Sequence, residues 1–191
     1  ALMSIPYVFD ILKFNALKSY ISVDKKDIKA FKKKNIDEKK FNIGIVWQGS
    51  KGHTNDKNRS IDIDFFVELL NLKDVNLYSL QVENTKVLKN KKIVNLGNKF
   101  ENFYDTAVAI KGLDLVISVD TSIVHLCGAL GKECLVMIPF HPDWRWGLNS
   151  SKNDWYKSVT IFRQHKIRDW SEAFIKVKKE VLDRRNKFYE K

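Results

Sequence analysis

Leu113-Asp-Leu-Val-Ile-Ser-Val-Asp120-Thr121-Ser122-Ile-Val-His125-Leu-Cys-Gly-Ala-Leu-Gly131 decides how this chain is read. Its first half is a nearly continuous apolar run, the pattern of a strand buried on both faces. The run ends in an acid and turns through two hydroxyl residues. Thr121 or Ser122 suits a helix N-cap and Gly131 suits the position just past a helix, so a short, bounded helix over residues 122–130 is expected. His125 lies one turn beyond Thr121 and Ser122, on the same rim of the helix mouth. A helix starting at the carboxyl edge of a sheet aims its unpaired N–H groups and positive dipole end at whatever lies above, and a diphosphate is the first ligand to consider there. Asp120 can accept from sugar hydroxyls. Neutral His125 can bond a sugar or phosphate oxygen, and protonated it adds charge against a leaving diphosphate. Each residue also has a plainer use, as a cap or a satisfied half-buried side chain; it is their combination at one strand end that favours a site.

Outward from this stretch the pattern alternates. Residues 41–47, 75–82, 93–96, 113–119, 133–138 and 159–163 read as strands, and residues 62–72, 100–111 and 122–130 as helices. Asp169-Trp-Ser-Glu172 is a capping-box variant opening a long final helix. Strands separated by helices predict an α/β fold with a Rossmann-like, doubly wound, mostly parallel sheet. Residues 1–40 read as an approach segment with one short helix, capped by Asp24, carrying Ile28 and Phe31 on its apolar side. Residues 41–191 form the domain proper.

A chain of 191 residues suffices for one domain with a proper core. No apolar run approaches the ~20 residues of a membrane-spanning helix, and the opening residues lack a basic leader and cleavage site, so a cytoplasmic protein is expected. Cys127 and Cys134 show no metal-ligand spacing and read as small, reduced core residues. The net charge of +11 raises nucleic acid as a partner. Much of the excess is lysine in residues 25–40, without the interleaved aromatics of a single-strand reader, so a solvated surface is expected and no nucleic acid. Such a face also suits a peripheral contact with an anionic membrane, or a phosphorylated acceptor.

The second chemistry-bearing segment is Gln48-Gly49-Ser-Lys51-Gly-His53-Thr-Asn-Asp-Lys57-Asn-Arg59-Ser60. It follows the first strand and leads into a helix, where phosphate-handling loops sit. It matches neither the Walker nor the dinucleotide glycine spacing. Lys51, Lys57 and Arg59 can clamp phosphate oxygens, arginine by bidentate pairing; a mobile solvated loop is the competing use. Asp62-Ile-Asp64 has the look of a metal-binding Asp-x-Asp, but two acids at the start of a helix suit its dipole, and no metal role is assigned. The aromatic loop Phe140-His-Pro-Asp143-Trp144-Arg145-Trp146, with Trp155-Tyr156 after it, serves either to stack on a sugar or base or to lock the rim by packing. Packing is favoured for Trp155, and both uses stay open for Trp144 and Trp146.

The stretch from Asp114 to Lys132 resembles the donor-site signature of glycosyltransferase family 9, which includes the ADP-heptose:lipopolysaccharide heptosyltransferases. Pro139-Phe-His-Pro-Asp-Trp-Arg-Trp146, Trp155-Tyr156, Ile43-Gly-Ile-Val-Trp47 and Arg59-Ser-Ile61 are closer to a bacterial variety often attached to tetratricopeptide repeats. Leu2-Met-Ser-Ile-Pro-Tyr-Val-Phe9 is similar to the segment joining the family's two halves. The resemblance implies a GT-B fold, of which this chain is the C-terminal, nucleotide-sugar-binding half. It implies inverting transfer without a metal or other cofactor, to a glycan, lipopolysaccharide or protein acceptor, with the general base in an N-terminal acceptor domain of the same or another chain. It places Asp120 at the donor sugar, Thr121, Ser122 and His125 at the diphosphate, and the family's basic residue at Arg59 or Lys57. Gln81, Glu83 and the segment 95–97 fall toward ribose and base, and Gln48, Gly49 and Trp144 toward the donor. Many members carry glycine where Ser122 stands. Two other functions compete: a nucleotide-sugar-binding module inactive by itself, either degenerate or half of a split enzyme, and, suggested by charge alone, a nucleic-acid-binding domain.

Overall fold

A computed structural model of the protein describes residues 18–147, 151 and 154–190. Its strands, β1 (Phe41–Val46), β2 (Val75–Ser79), β3 (Ile93–Asn95), β4 (Leu115–Val119), β5 (Cys134–Ile138) and β6 (Val159–Arg163), form one six-stranded sheet in the order β3-β2-β1-β4-β5-β6. Every pairing is parallel. The helices are α1 (Lys25–Asn35), α2 (Asp56–Arg59), α3 (Ile63–Val67), α4 (Phe103–Gly112), α5 (Ser122–Leu130) and α6 (Ser171–Tyr189). No helix among the described residues is long and apolar enough to cross a membrane.

Both sheet faces are covered, which is why β1, β4 and β5 are buried along their whole length. On one face Phe41, Ile43, Ile45 and Trp47 meet Phe66 of α3 and Phe174, Val177 and Val181 of α6. On the other, Val46, Val116 and Val136 meet Ala109 and Ile110 of α4 and Val124 and Cys127 of α5. The helix α1 lays Phe31 against α4 at Gly112, where a Cβ would stand 2.6 Å from the Phe31 ring. Segment 18–21 is attached as well, since the Tyr20 and Ile21 N–H groups both donate to the Ala129 carbonyl, at 2.9 and 3.1 Å. The rest of the opening segment, residues 1–17, lies outside the described residues.

The strand order fixes where a ligand can sit. From β1 the chain crosses over toward β2 and β3, whereas β4 leads to β5 and β6 on the opposite side. The loops after β1 and β4 diverge at this reversal and leave a crevice at the carboxyl edge. These loops are residues 47–62 and 120–121, the two segments singled out in the sequence.

Local signals set some boundaries and tertiary packing others. The Thr121 hydroxyl accepts from the Ile123 N–H at 3.3 Å, and Gly131 closes α5 at φ 65°, so the helix spans residues 122–130 as expected. Asp24 caps α1 by accepting from Lys26 N–H at 2.7 Å. The expected helix 62–72 opens on Asp62 but tightens after Val67 into a 3-10 turn, Glu68–Asn71. The expected polar loop 48–60 contains the single helical turn α2. β2 ends at Ser79 rather than residue 82, where Gln81 turns its N–H onto the Ser79 hydroxyl and its carbonyl passes over Gly97 so closely that no Cβ would fit there. The capping box at α6 is only half made. Asp169 accepts from Ser171 N–H at 3.0 Å, but Glu172 binds Lys176 at 2.7 Å instead of reaching back. Cys127 and Cys134 are buried and unbridged, and contact with Cys127 together with burial pushes the Cys134 thiol up.

Phe66 is fully buried and packs edge-on against Phe174 at 5.7 Å, joining α3 to α6 across the first face. Phe66→Ala is expected to cost about 3–5 kcal/mol, as for large-to-small changes in well-packed cores, read as a fall in the urea midpoint with an unchanged m-value.

Candidate functional site

Arg59 joins the two loops of the crevice. Its Nη1 donates to the Asp120 carbonyl at 3.0 Å, and its Nε lies 3.3 Å from Asp56 Oδ1, with both side chains only 12% exposed. The same Asp56 oxygen accepts from the Ser60 hydroxyl at 3.1 Å, and Ser60 Oγ accepts from Gly49 N–H at 3.4 Å. The guanidinium lies over Gly49, where any Cβ would collide with it. The loop is further closed by the Trp170 indole N–H on the Ser60 carbonyl at 3.0 Å and by Ile61 N–H on the Trp47 carbonyl at 2.9 Å. A guanidinium has five N–H donors, and Arg59 also borders a cavity in this crevice.

Two cavities meet at the mouth of α5. One, of about 440 Å³, is bordered by Gln48, Gly49, Gln81, Glu83, Phe103, Thr121 and Ser122. The other, of about 470 Å³, is bordered by Arg59, Asp120, Thr121, Ser122, His125 and Arg145. Thr121 and Ser122 belong to both, so the start of α5 divides an apolar recess from a charged one of similar size. Gln81 fixes the first wall by accepting from Gln48 N–H at 3.3 Å, and Gln48 Oε1 accepts from Asn84 Nδ2 at 3.1 Å. Over the second cavity, Asn55 Nδ2 donates to the His141 carbonyl at 3.4 Å, which links the β1 loop to the loop after β5.

His125 borders the charged cavity without being loose in it. Its Nδ1 stands 3.1 Å from the Tyr156 hydroxyl, and its ring stacks on Trp146 at 5.5 Å and 20°. Burial lowers the imidazole pKa below its ordinary value, and the nearby Arg145 charge lowers it further, while Asp120 and Asp143 pull the other way.

Most of the residues singled out in the sequence come together here: Gln48, Gly49, Gln81 and Glu83 on one cavity, Asp120, His125 and Arg59 on the other, Thr121 and Ser122 on both. Lys57 and Lys51 do not; both are exposed and border neither cavity. Trp144 is 60% exposed, edge-on to Trp155 at 5.9 Å, and lies outside both linings, whereas its neighbours Asp143 and Arg145 lie within one. The open reading of Trp146 resolves to packing: at 1% exposure it is the platform under His125. Asp62 and Asp64 are engaged as the α3 cap and as an ion pair with Lys91. No group of three or more His, Cys, Asp or Glu among the described residues is arranged to hold a metal ion. Arg145, Asp56 and Tyr156 were not foreseen in the site. Arg145 sits inside the aromatic loop, but nothing local marks Asp56 as the carboxylate that holds Arg59.

No protein-family model matches the chain, and no curated protein matches it. Solved structures do. The fold is similar to E. coli ADP-heptose lps heptosyltransferase II, with 12% identity and a TM-score of 0.61 over 88% of this chain and 52% of that one. It is similar to a glycosyl transferase family 9 structure from Veillonella parvula, with 11% identity, a TM-score of 0.55, and 88% and 53% covered. It is also similar to E. coli heptosyltransferase WaaC with ADP, with 13% identity, a TM-score of 0.56, and 82% and 48% covered. At these identities the likeness is one of fold, the Rossmann-like α/β fold of heptosyltransferases. The chain spans about half the length of these structures.

Because the folded His125 has a lower pKa than the ~6.5 of an unfolded one, the unfolded chain takes up the proton first as pH falls. The stability tied to neutral His125 is therefore present above about pH 6.5 and lost as the solution acidifies through the folded value. Urea unfolding at pH 7.5 and 5.5 is expected to show a smaller acid-side loss for His125→Gln than for the unaltered protein.

Proposed function

We propose that this chain is the donor-binding, C-terminal half of an inverting, metal-independent GT-B glycosyltransferase resembling family 9 and its tetratricopeptide-associated bacterial variety. It moves a sugar from a nucleotide diphosphate to a glycan, lipopolysaccharide or protein acceptor, with an N-terminal acceptor domain in the same or another chain. The observation that carries this is the position of Thr121 and Ser122, shared by two cavities at the mouth of α5, with Arg59 spanning the crevice beside them. A nucleotide sugar needs this division: an apolar recess for a nucleoside, a polar one for a sugar, and a donor-rich point between them for the diphosphate.

In this assignment Gln48, Gly49, Gln81 and Glu83 border the nucleoside, Asp120 receives donor-sugar hydroxyls, and Thr121, Ser122, His125 and Arg59 surround the diphosphate. Lys57 joins them only if its loop closes over the ligand, and Trp144 flanks the sugar side beside Arg145. Transfer breaks the bond between the anomeric carbon and the diphosphate oxygen, and charge grows on that oxygen as it leaves. N–H groups of α5 and the Arg59 guanidinium, held in place beforehand, stabilise that charge; such arrangements are worth several kcal/mol. The acceptor hydroxyl loses its proton to a base in the other domain. Residues 1–40 serve as the approach from that domain, and 41–191 as the donor domain, in a cytoplasmic protein whose lysine-rich α1 favours a peripheral contact with anionic membrane. A second reading is a nucleotide-sugar-binding module without turnover; turnover by this chain alone would exclude it.

Thermal unfolding with millimolar ADP, GDP, UDP, CDP and their sugars, in EDTA, tests the assignment. At least one is expected to raise Tm, since ligand at 100 times its Kd adds about 2.7 kcal/mol. Arg59→Ala and His125→Ala are expected to weaken that ligand by about 1–3 kcal/mol, and Lys26→Ala by far less. No shift with any compound would overturn the proposal.

A further inference from the structure

The loop after β5 is held at three successive carbonyls by side chains from later in the chain. The Trp155 indole N–H donates to the Arg145 carbonyl at 3.0 Å. Arg163, at the end of β6, donates from Nη2 to the Trp146 carbonyl and from Nη1 to the Gly147 carbonyl, the latter at 2.9 Å. At the start of this turn Asp143 Oδ1 accepts from the Arg145 N–H at 3.0 Å. Gly147 closes it at φ 58°, a backbone that glycine adopts without steric cost. Trp146, in the middle, is stacked on His125, so the turn has a fixed place against α5.

Arg145 is the side chain that this frame presents. Its N–H and carbonyl are both pinned, and its Nε lies 3.1 Å from the same Asp143 oxygen. Among the described residues, neither Nη of Arg145 has a protein partner. The side chain is 41% exposed and borders the charged cavity with Thr121, Ser122 and His125. Arg59, on the same cavity, has Nε and Nη1 engaged and is 12% exposed, so it serves first as a strut between loops. His125 is kept toward its neutral form, by burial and then by the Arg145 charge. The more accessible cation here is therefore Arg145. Asp143 takes only its Nε, which orients the guanidinium and leaves the outer pair of nitrogens, a fork that matches two phosphate oxygens.

We propose that Arg145 binds the distal phosphate of a nucleoside diphosphate, the one that carries the sugar, through its outer Nη nitrogens. Arg145 borders the charged cavity and not the apolar one. It thus stands across Thr121 and Ser122 from the nucleoside recess, on the side where a second phosphate falls. The proposal rests on the donor-site assignment above and adds to it a cation from outside the β1 loop. The distal phosphate is then met from two elements, by N–H groups at the mouth of α5 and by the turn after β5, while the first phosphate depends on α5 and the β1 loop.

Calorimetric titration of the full chain with ADP, UDP, AMP, UMP and inorganic pyrophosphate, in EDTA, tests this. Arg145→Met is expected to weaken the tighter diphosphate about tenfold and pyrophosphate by a similar factor, while the matching monophosphate loses less than about twofold. Arg145→Lys should recover only part of the loss, because an ammonium keeps the charge without the fork. Where Arg145→Met disturbs the turn, seen in the near-ultraviolet signal of its tryptophans, the same split is read on Arg145→Lys. Equal weakening of mono- and diphosphate would show that residue 145 only shapes the loop, and overturn the proposal. Unchanged affinity for the diphosphate, or for pyrophosphate, would overturn it as well. If no nucleotide binds but pyrophosphate does so in an Arg145-dependent way, the donor-site assignment falls and the phosphate role of Arg145 stands. Binding of none of these compounds overturns both.

Discussion

Arg59 crosses the one place in the sheet where the chain parts company with itself. Adjacent parallel strands β1 and β4 send their following segments in opposite directions, and the Arg59 side chain bridges the gap between them. Its donors hold the carbonyl of Asp120 on one side and the carboxylate of Asp56 on the other. Both charged groups are largely buried. Removing either partner would strand the other in a poorly solvated position, where an unpaired charge costs several kcal/mol. Gly49, the Ser60 hydroxyl and the Trp170 indole all make room for this arrangement or pin its flank. The mouth of α5 is thus fixed relative to the β1 loop before any ligand arrives, which is the preorganisation that charge-stabilising sites require.

What could be read from residues alone follows the range of the forces involved. The limits of α5 were legible because Thr121 and Gly131 act within one turn, through a hydroxyl cap and a left-handed backbone. The parallel sheet was legible because strands buried on both faces lose their alternation. The end of β2 was not, since it depends on the carbonyl of Gln81 meeting Gly97 from the turn that follows β3. The half-made box at α6 shows the same limit. Glu172 has the right spacing to reach back, but Lys176, one turn along, competes for it. At the site, Arg59 and Lys57 look equivalent in sequence; only the buried Asp56 and the Asp120 carbonyl distinguish the clamped arginine from the exposed lysine. Trp144 and Trp146 are two residues apart, yet one turn of 3-10 helix buries the second and exposes the first.

The stretch that looked like an anion-binding helix mouth acquires three neighbours in the folded chain. A nucleoside-sized apolar recess lies on one side, a charged recess on the other, and a guanidinium bridges the crevice. Each alone has a structural explanation, as a void between loops, a polar rim or a buried ion pair. Placed around Thr121 and Ser122, they divide space as a nucleotide sugar does. In the proposed reading, proton removal from the acceptor falls to groups of a facing domain.

The central claim is that α5 meets a diphosphate with its first N–H groups. Backbone amide shifts of 15N-labelled protein during titration with ADP test it most directly. The largest changes are predicted at Ser122 and Ile123, followed by Gly49, with little response at Lys25, Lys29 and Lys32 on α1. Changes concentrated on the lysine-rich helix, with Ser122 and Ile123 silent at saturating ADP, would contradict it.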